Sequence, residues 1–419
     1  MSPRTRVVIT GYGAVCSLGD DAAAIWSAIA EKKVGYRVCG FGDDRIKAKF
    51  FGVIDSEGLA RRYKEFPRGL MRMVAEFAKY TLVASKEAVS MAFGGNAIES
   101  AYAPNECGAI IGTGWGGLDS GNKNNDEYKK TKFSTPFATI MSMHNSASAA
   151  LSMHYGLRGY QNTHVAACAS GAIAIGEAAE VIRRGQAKLM IAGGSESLRE
   201  VFNVWAIDVM EALSKETADV RKACCPFSLD RSGFVLSEGA AVVVLEEMES
   251  AIARGAPILA EVTGYANYSD AHDFTAPAPD GQGRLNVIAG ALRSARRAPA
   301  EIDYVNAHGT STPLNDFYES EAIKAVLGDH ARRVPISSTK SYTGHLIGAA
   351  GALETIFCVK AIETGLIPAT IHHDRADPKC DLDYVPNEHR TGAKVDRCLK
   401  LSFGFGGANA ALVIERVAS

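Results

Sequence analysis

The chain has 419 residues, of which 47% are hydrophobic and 22% charged, and its formal net charge is -2. This is a globular composition with enough apolar material for two or three ordinary domains or one large α/β unit. A charge so near zero excludes binding to nucleic acid or a membrane driven by overall charge, so any charged partner must meet a local patch.

Nine cysteines show no paired metal-ligand spacing, and the adjacent Cys224 and Cys225 suit neither a zinc knuckle nor an ordinary disulfide framework. No signal peptide opens the chain and no apolar run is long enough to span a bilayer, so a reduced, cytoplasmic protein is expected.

In chain order, Arg6 to Thr10 reads as a buried strand running into the glycine turn Gly11-Tyr12-Gly13, followed by a helix from about Asp20 to Lys32. Gly40 to Lys64 is polar and irregular, and Met71 to Ala92 has the apolar spacing of one long helix. Cys107 to Gly112 is a second buried strand, ending in Thr113-Gly114-Trp115-Gly116-Gly117. The lysine- and asparagine-rich stretch Asn122 to Lys132 reads as an exposed loop, and Pro136 to Tyr155 as small-residue helix or interface material. Strands Leu189 to Gly194 and Ala240 to Leu245 flank a long insertion.

A second series follows. Strand Ala260 to Tyr265 precedes helix Leu285 to Ala298, strand Tyr304 to Ala307, helix Asp316 to Leu327, strand Val334 to Ser337 and helix Gly348 to Thr364. Strands Cys398 to Phe403 and Ala410 to Glu415 close the chain around a glycine loop. Alternating strands and helices predict a mostly parallel α/β sheet. Val-Ile-Thr-Gly-Tyr near the start returns as Val-Thr-Gly-Tyr at 262–265, which points to two related halves, 1–250 and 251–419, packed as one body.

The stretch His164 to Arg184 carries the chemistry. Val165, Ala166 and Ala167 look like the end of a buried strand, Cys168 follows, and Ile173, Ile175, Ala178, Ala179 and Ile182 recur at helical spacing. A thiol at a strand-to-helix turn meets the partial positive charge and free N–H groups of the helix start, which favour thiolate. On this stretch alone, Cys168 reads equally as a packed core cysteine. Three distant stretches tip the balance: Val305 to Pro313 around His308, Ser337 to Gly351 around Lys340 and His345, and Ser402 to Asn409 with its glycines. Each follows a predicted strand, where α/β folds place functional loops. Cysteine with histidine is the minimum set for nucleophilic catalysis.

The set Cys168, His308, Lys340, His345 and Gly404-Phe405-Gly406-Gly407 resembles the β-ketoacyl-acyl carrier protein synthases, specifically the elongating type II branch of the thiolase superfamily. The resemblance covers essentially the whole chain, through Gly233-Phe-Val-Leu-Ser-Glu-Gly239, with five separated motifs in the family's order. It implies the thiolase fold, two pseudo-equivalent α/β halves in a five-layer αβαβα sandwich working as a dimer. It also implies a 3-oxoacyl-acyl carrier protein synthase, which extends a cysteine-bound acyl chain by decarboxylative condensation with malonyl carrier protein. No cofactor is implied beyond the phosphopantetheine arm of the carrier protein, which brings the substrate.

Residue by residue, the resemblance makes Cys168 the nucleophile, with neutral His308 and His345 donating from Nε2 to the enolate. Lys340, paired with Glu319, organises the site electrostatically. Backbone N–H groups of Cys168 and Phe405 hold the oxyanion, and Phe405 is a mobile gate whose movement Gly404, Gly406 and Gly407 absorb; Phe403, Gly404, Gly406 and Trp115 are substrate-binding. Thr310, Thr312 and Thr275 bind the pantetheine arm. Asn306, Glu354 and Ser402 are a monovalent cation site for sodium or potassium. Carrier protein is acidic, so Arg61, Arg62, Lys64, Arg68 and Arg72, and Lys129, Lys130 and Lys132, are candidate docking charges.

Some positions depart from the family's pattern. Trp115 stands where the long-chain branch has a smaller apolar residue in the acyl pocket, which predicts short, or flat and unsaturated, acyl chains. Glu211 replaces an arginine, Ala408 replaces threonine or serine, and Thr139 to Ser152 is unusually rich in Met and Ser. These favour a specialised polyene or polyketide pathway, where such enzymes pair either with themselves or with a chain-length factor. A thiolase would want a second catalytic cysteine in the C-terminal glycine loop, and a non-catalytic chain-length or scaffold partner would lack the nucleophile; neither fits the residues present.

Overall fold

The computed structural model of the protein describes residues 4–417. Ten strands form one ladder: β1 (Val7–Cys16), β2 (Cys107–Thr113), β3 (Gln161–Val165), β4 (Leu189–Glu196), β5 (Gly239–Glu247), β6 (Ala260–Ser269), β7 (Tyr304–Asn306), β8 (Ile336–Ser337), β9 (Arg397–Gly404) and β10 (Ala408–Glu415). Their spatial order is β3-β2-β4-β5-β1-β6-β10-β9-β7-β8. Divided between β1 and β6, this is one arrangement repeated: third, second, fourth, fifth and first strand of each half.

Directions repeat too. β2 runs parallel to β3 and β4, as β7 does to β8 and β9, whereas the last, first and fourth strands of each half pair antiparallel. The halves join through Val8 with Glu261 and Ile9 with Ala260. The echoed Thr-Gly-Tyr sits at the same place in both: the register slips at Thr10 in β1 and at Thr263 in β6. A bulge there lets each first strand bend.

Alternation along the strands sorts side chains into three packed layers. Val243 and Leu412 face a central core shared with α2 (Ser170–Arg183) and α5 (Ala350–Thr364), which contribute Ile175, Ala179, Leu353 and Ile356. Val242 and Val244 face α1 (Glu76–Phe93) on one outer side. Leu399 and Val413 face α3 (Gln282–Ala295) and α4 (Pro313–Leu327) on the other. The result is the five-layer thiolase sandwich. Each isoleucine or leucine buried in these layers contributes about 1.5–3 kcal/mol. Gly171 at the start of α2 is required by contact between the two central helices: a Cβ there would lie 2.7 Å from the carbonyl oxygen of Gly348.

Five expectations are corrected. The sheet is not mostly parallel: four of its pairings are parallel and five antiparallel, because the first, fourth and fifth strands of each half run against their neighbours at the centre. Asn122 to Lys132 is not a loop but most of a helix, Leu118–Thr131. Its solvent-facing polarity hides a helix anchored by buried Asp119, which accepts from Ser197, Arg199 and Asn203. The long helix expected from Met71 breaks at extended Val74, separating Arg68–Met73 from α1. Gly40 to Lys64 holds the short strand Phe50–Gly52 and helix Ser56–Tyr63. Val165 does not end a buried strand: β3 lies at the edge of the ladder and Val165 is 53% exposed.

Among the described residues no helix is long and apolar enough to cross a membrane, and all nine cysteines are free.

Candidate active site

Four strand ends converge. β3 delivers Cys168, β7 His308, β8 Lys340 and then His345, and β9 the loop Phe405–Gly407. The turn that carries Cys168 is locked by Ser170: its hydroxyl accepts from the Ala166 N–H at 2.8 Å and shares its one hydrogen between the carbonyl oxygens of Ala167 at 2.7 Å and Thr113 at 3.0 Å. Three of the turns carry a non-glycine residue in the left-handed region: Ala167 before the thiol (φ 46°), Ser311 after His308 (φ 69°) and Ile347 after His345 (φ 47°). Such conformations cost about 1–3 kcal/mol each and persist where surrounding structure enforces them.

Sγ of Cys168 and a ring nitrogen of each of His308 and His345 lie within 4.8 Å of one another, all three buried. A cavity of about 380 Å³ leads to them, its walls including Thr310, Thr312, Thr275, Phe403 and Phe405. The hydroxyls of Thr310 and Thr312 are 2.9 Å apart, whereas exposed Thr275 sits at the mouth with its hydroxyl donating to Asp273. Phe405 caps the β9–β10 hairpin beside Cys168. Gly406 is left-handed (φ 78°) and donates its N–H to the carbonyl of Phe274 at 2.7 Å.

The electrostatics are those of a dry pocket. Burial pushes the Cys168 thiol up to about 12; the Lys340 ammonium and the N–H groups of Phe405 and Cys168 pull it down, and Glu196 opposes them. The helix start was expected to favour thiolate, but burial outweighs it and the resting sulfur is a thiol. Burial also drives both histidines well below their usual value, with Lys340 adding to the effect, so both rings are neutral.

Their tautomers follow from their partners. His345 Nδ1 accepts from the N–H of Ile347 at 3.3 Å, and His308 Nδ1 faces the Lys340 ammonium at 3.4 Å. Each ring therefore carries its hydrogen on Nε2. Nε2 of His345 has no partner among the described residues, so a donor is held ready in the pocket.

Two expected roles change. Lys340 is not paired with Glu319. It meets Glu354 Oε1 at 2.5 Å, while Glu319 accepts from the backbone N–H groups of His308 (2.6 Å) and Gly309 (2.7 Å) and clamps that turn. Nor do Asn306, Glu354 and Ser402 form a free-cation site. Lys400 lies fully buried among them, 2.7 Å from Glu354 Oε2 and 3.1 Å from the Ser402 hydroxyl. With Lys340 on the other oxygen, Glu354 already faces two ammonium groups, and a third cation would be repelled.

Sequence reasoning missed Lys400 and Glu196. Buried Glu196 ends β4, accepts from the N–H groups of Gly114, Trp115 and Gly348, and ties the Trp115 loop to the turn after His345. The signal was present in both: a charged residue inside or ending an apolar strand needs a buried partner. Trp115 sits in the apolar cluster with Cys168, Leu198 and Ile207 rather than on the approach cavity.

Residues 4–251 match the family described as "Beta-ketoacyl synthase, N-terminal domain" and residues 259–374 match "Beta-ketoacyl synthase, C-terminal domain". The chain is 38% identical over 415 residues to 3-oxoacyl-[acyl-carrier-protein] synthase 2 of Synechocystis, covering 99% of this chain and 98% of the relative. It superposes with TM-score 0.91 and 32% identity on a structure of a type II polyketide synthase acyl-carrier protein in complex with its ketosynthase bound to the hexaketide, covering 99% and 100% of the two chains. The ishigamide ketosynthase/chain length factor gives TM-score 0.88 at 30% identity, with the same coverage.

Proposed function

This chain belongs to the β-ketoacyl synthase family, and on that premise we propose that it is a 3-oxoacyl-acyl carrier protein synthase, an acyltransferase that lengthens an acyl chain by two carbons. The observation that carries the reading is the meeting of Cys168 Sγ with both imidazoles within 4.8 Å.

Cys168 attacks the thioester of an acyl carrier protein, the phosphopantetheine thiol leaves, and the acyl group stays on the sulfur. N–H groups of Phe405 and Cys168 receive the oxyanion. The malonyl-phosphopantetheine arm of a second carrier protein enters along the cavity past Thr310, Thr312 and Thr275. Carbon dioxide leaves, and Nε2–H of His308 and His345 stabilises the enolate oxygen. The enolate carbon attacks the acyl thioester, the carbon–sulfur bond to Cys168 breaks, and the 3-oxoacyl product departs on the carrier protein. Neutral rings suit this role, since each must donate without surrendering a full proton.

The repeated strand order supports a division near residue 250, with the nucleophile in the first half and both histidines in the second. The open edge of β3 supports a dimer. Likeness to the ishigamide protein favours a second version of this reading, a heterodimer with a chain-length factor in specialised polyene or polyketide synthesis. A cytoplasmic location fits nine free cysteines. Trp115 beside Cys168 sets the acyl preference toward short or flat chains.

The test incubates the protein, alone and with any co-purified partner, with acyl carrier proteins of graded chain length and malonyl carrier protein. Mass spectrometry should find an acyl group on Cys168 and products two carbons longer; absence of both overturns the reading.

A further inference from the structure

Lys400 breaks the pattern of its own strand. Along β9, Leu399, Leu401 and Phe403 face the outer core, while Cys398 packs into the central one. Lys400 and Ser402 share the face of Cys398. Asn306 on β7 is its direct cross-strand neighbour. The lysine is fully buried, and burial with the Lys340 charge holds it below its ordinary value while Glu354 opposes them. Its ammonium contacts Glu354 Oε2 at 2.7 Å and donates to the Ser402 hydroxyl and to the Leu401 carbonyl. Glu354 in turn holds Lys340 at 2.5 Å, and Lys340 donates to the carbonyl oxygen of His308 at 2.5 Å and faces its Nδ1 at 3.4 Å. An alternating chain of charge therefore runs from β9 through α5 to a site imidazole.

We propose that Lys400 is a positioning residue for His308, its tethered ammonium serving as the fixed cation that neutralises Glu354 and holds Lys340 against the imidazole, in place of a free alkali-metal ion. The geometry explains why no free ion is needed. Two ammonium groups on one carboxylate leave the cluster positive, and of the oxygens an ion would require, Asn306 Oδ1 and Glu354 Oε2 accept no hydrogen bond among the described residues, the second being held in an ion pair with Lys400 at 2.7 Å. Removing the lysine would free Glu354 Oε2 and the Ser402 hydroxyl beside that oxygen, and so create an alkali-ion site. A covalent cation cannot be diluted away, so the arrangement makes the site independent of the surrounding salt.

The activity readout rests on the condensing-enzyme reading; melting temperature does not, so failure of one is distinguishable from failure of the other. Wild-type enzyme is compared in choline, sodium and potassium chloride at equal ionic strength, following malonyl carrier protein decarboxylation and thermal unfolding. Both should be the same in all three salts. The Lys400→Ser variant in choline should be slower by about tenfold or more, and sodium or potassium should restore rate and melting temperature saturably. Lys400→Arg, which keeps the charge, should stay insensitive to the ion. A saturable rise of wild-type rate or melting temperature with either metal ion overturns the proposal, as does a Lys400→Ser enzyme equal to wild type in choline. Should the serine variant not fold, the wild-type comparison decides alone.

Discussion

The backbone N–H of Ile347 donates to Nδ1 of His345, and this bond decides which ring nitrogen carries the hydrogen. Ile347 holds that N–H in place only by adopting a left-handed conformation. Lys340 does the same for His308 from the other side. A pair of imidazoles whose outer nitrogens are occupied presents two neutral N–H groups inward, which suits an enolate better than a metal or a free base.

Removing one of these donors should therefore lower kcat of malonyl decarboxylation. His345→Ala is expected to cost about 10²–10³ in kcat with a smaller change in KM. Cys168→Ala should abolish acyl transfer yet keep decarboxylation, since the histidines remain. Steady-state kinetics and intact-protein mass spectrometry check both; equal loss of the two steps in Cys168→Ala would separate the histidines from the enolate.

The thiol pushed up to about 12 by burial has a reactivity signature. Alkylation of Cys168 by iodoacetamide should climb steadily between about pH 7 and 9 without a plateau, because the thiolate fraction is still rising. Lys340→Met should slow it throughout that range, since the ammonium that pulls the thiol down is gone. A plateau near neutrality in the wild-type profile would contradict the buried-thiol state.

Depressed histidines also set a stability window. His308 and His345 bind protons more weakly folded than unfolded, so their contribution is present above the unfolded value of about 6.5 and lost as pH falls below it. Melting temperature should decline from about pH 6.5 downward, and a double His308→Phe, His345→Phe variant should flatten that decline. An unchanged slope in the double variant would place the acid sensitivity elsewhere.

Glu319 acts on backbone rather than on Lys340. Glu319→Ala leaves the N–H groups of His308 and Gly309 buried without acceptors, at about 1–3 kcal/mol each. A lower melting temperature together with a reduced rate is expected, and Glu319→Gln, which keeps one acceptor, should recover part of both.

Trp115→Ala should open the apolar cluster beside Cys168 and shift products toward longer saturated chains. An unchanged chain-length profile across graded acyl carrier proteins would assign the limit to another wall or to a partner subunit.

Much of this was legible in residues alone. Cys168, both histidines and the glycine loop announce themselves by type, spacing and their place after strands, and the Thr-Gly-Tyr echo located the two first strands whose bulges now coincide. Partner identity was not legible. Glu319 and Glu354 are both buried acids on helices near the site, and only three-dimensional packing decides which of them faces Lys340. The helix at Leu118–Thr131 was hidden because a solvent-facing helix held by one buried aspartate has a loop's composition. Lys400 was overlooked within the closing strand Cys398 to Phe403, although its partner had to lie somewhere in the core.

The left-handed turns at Ala167, Ser311 and Ile347 carry a consequence for anyone seeking a hardier form of this protein. Glycine at any of these points would relax the backbone and could raise the melting temperature, since the tension is stored there. The same change would let the sulfur or a ring drift, so heat resistance gained at these points would come out of turnover. Screens for robustness should leave these turns untouched and look to the outer layers instead.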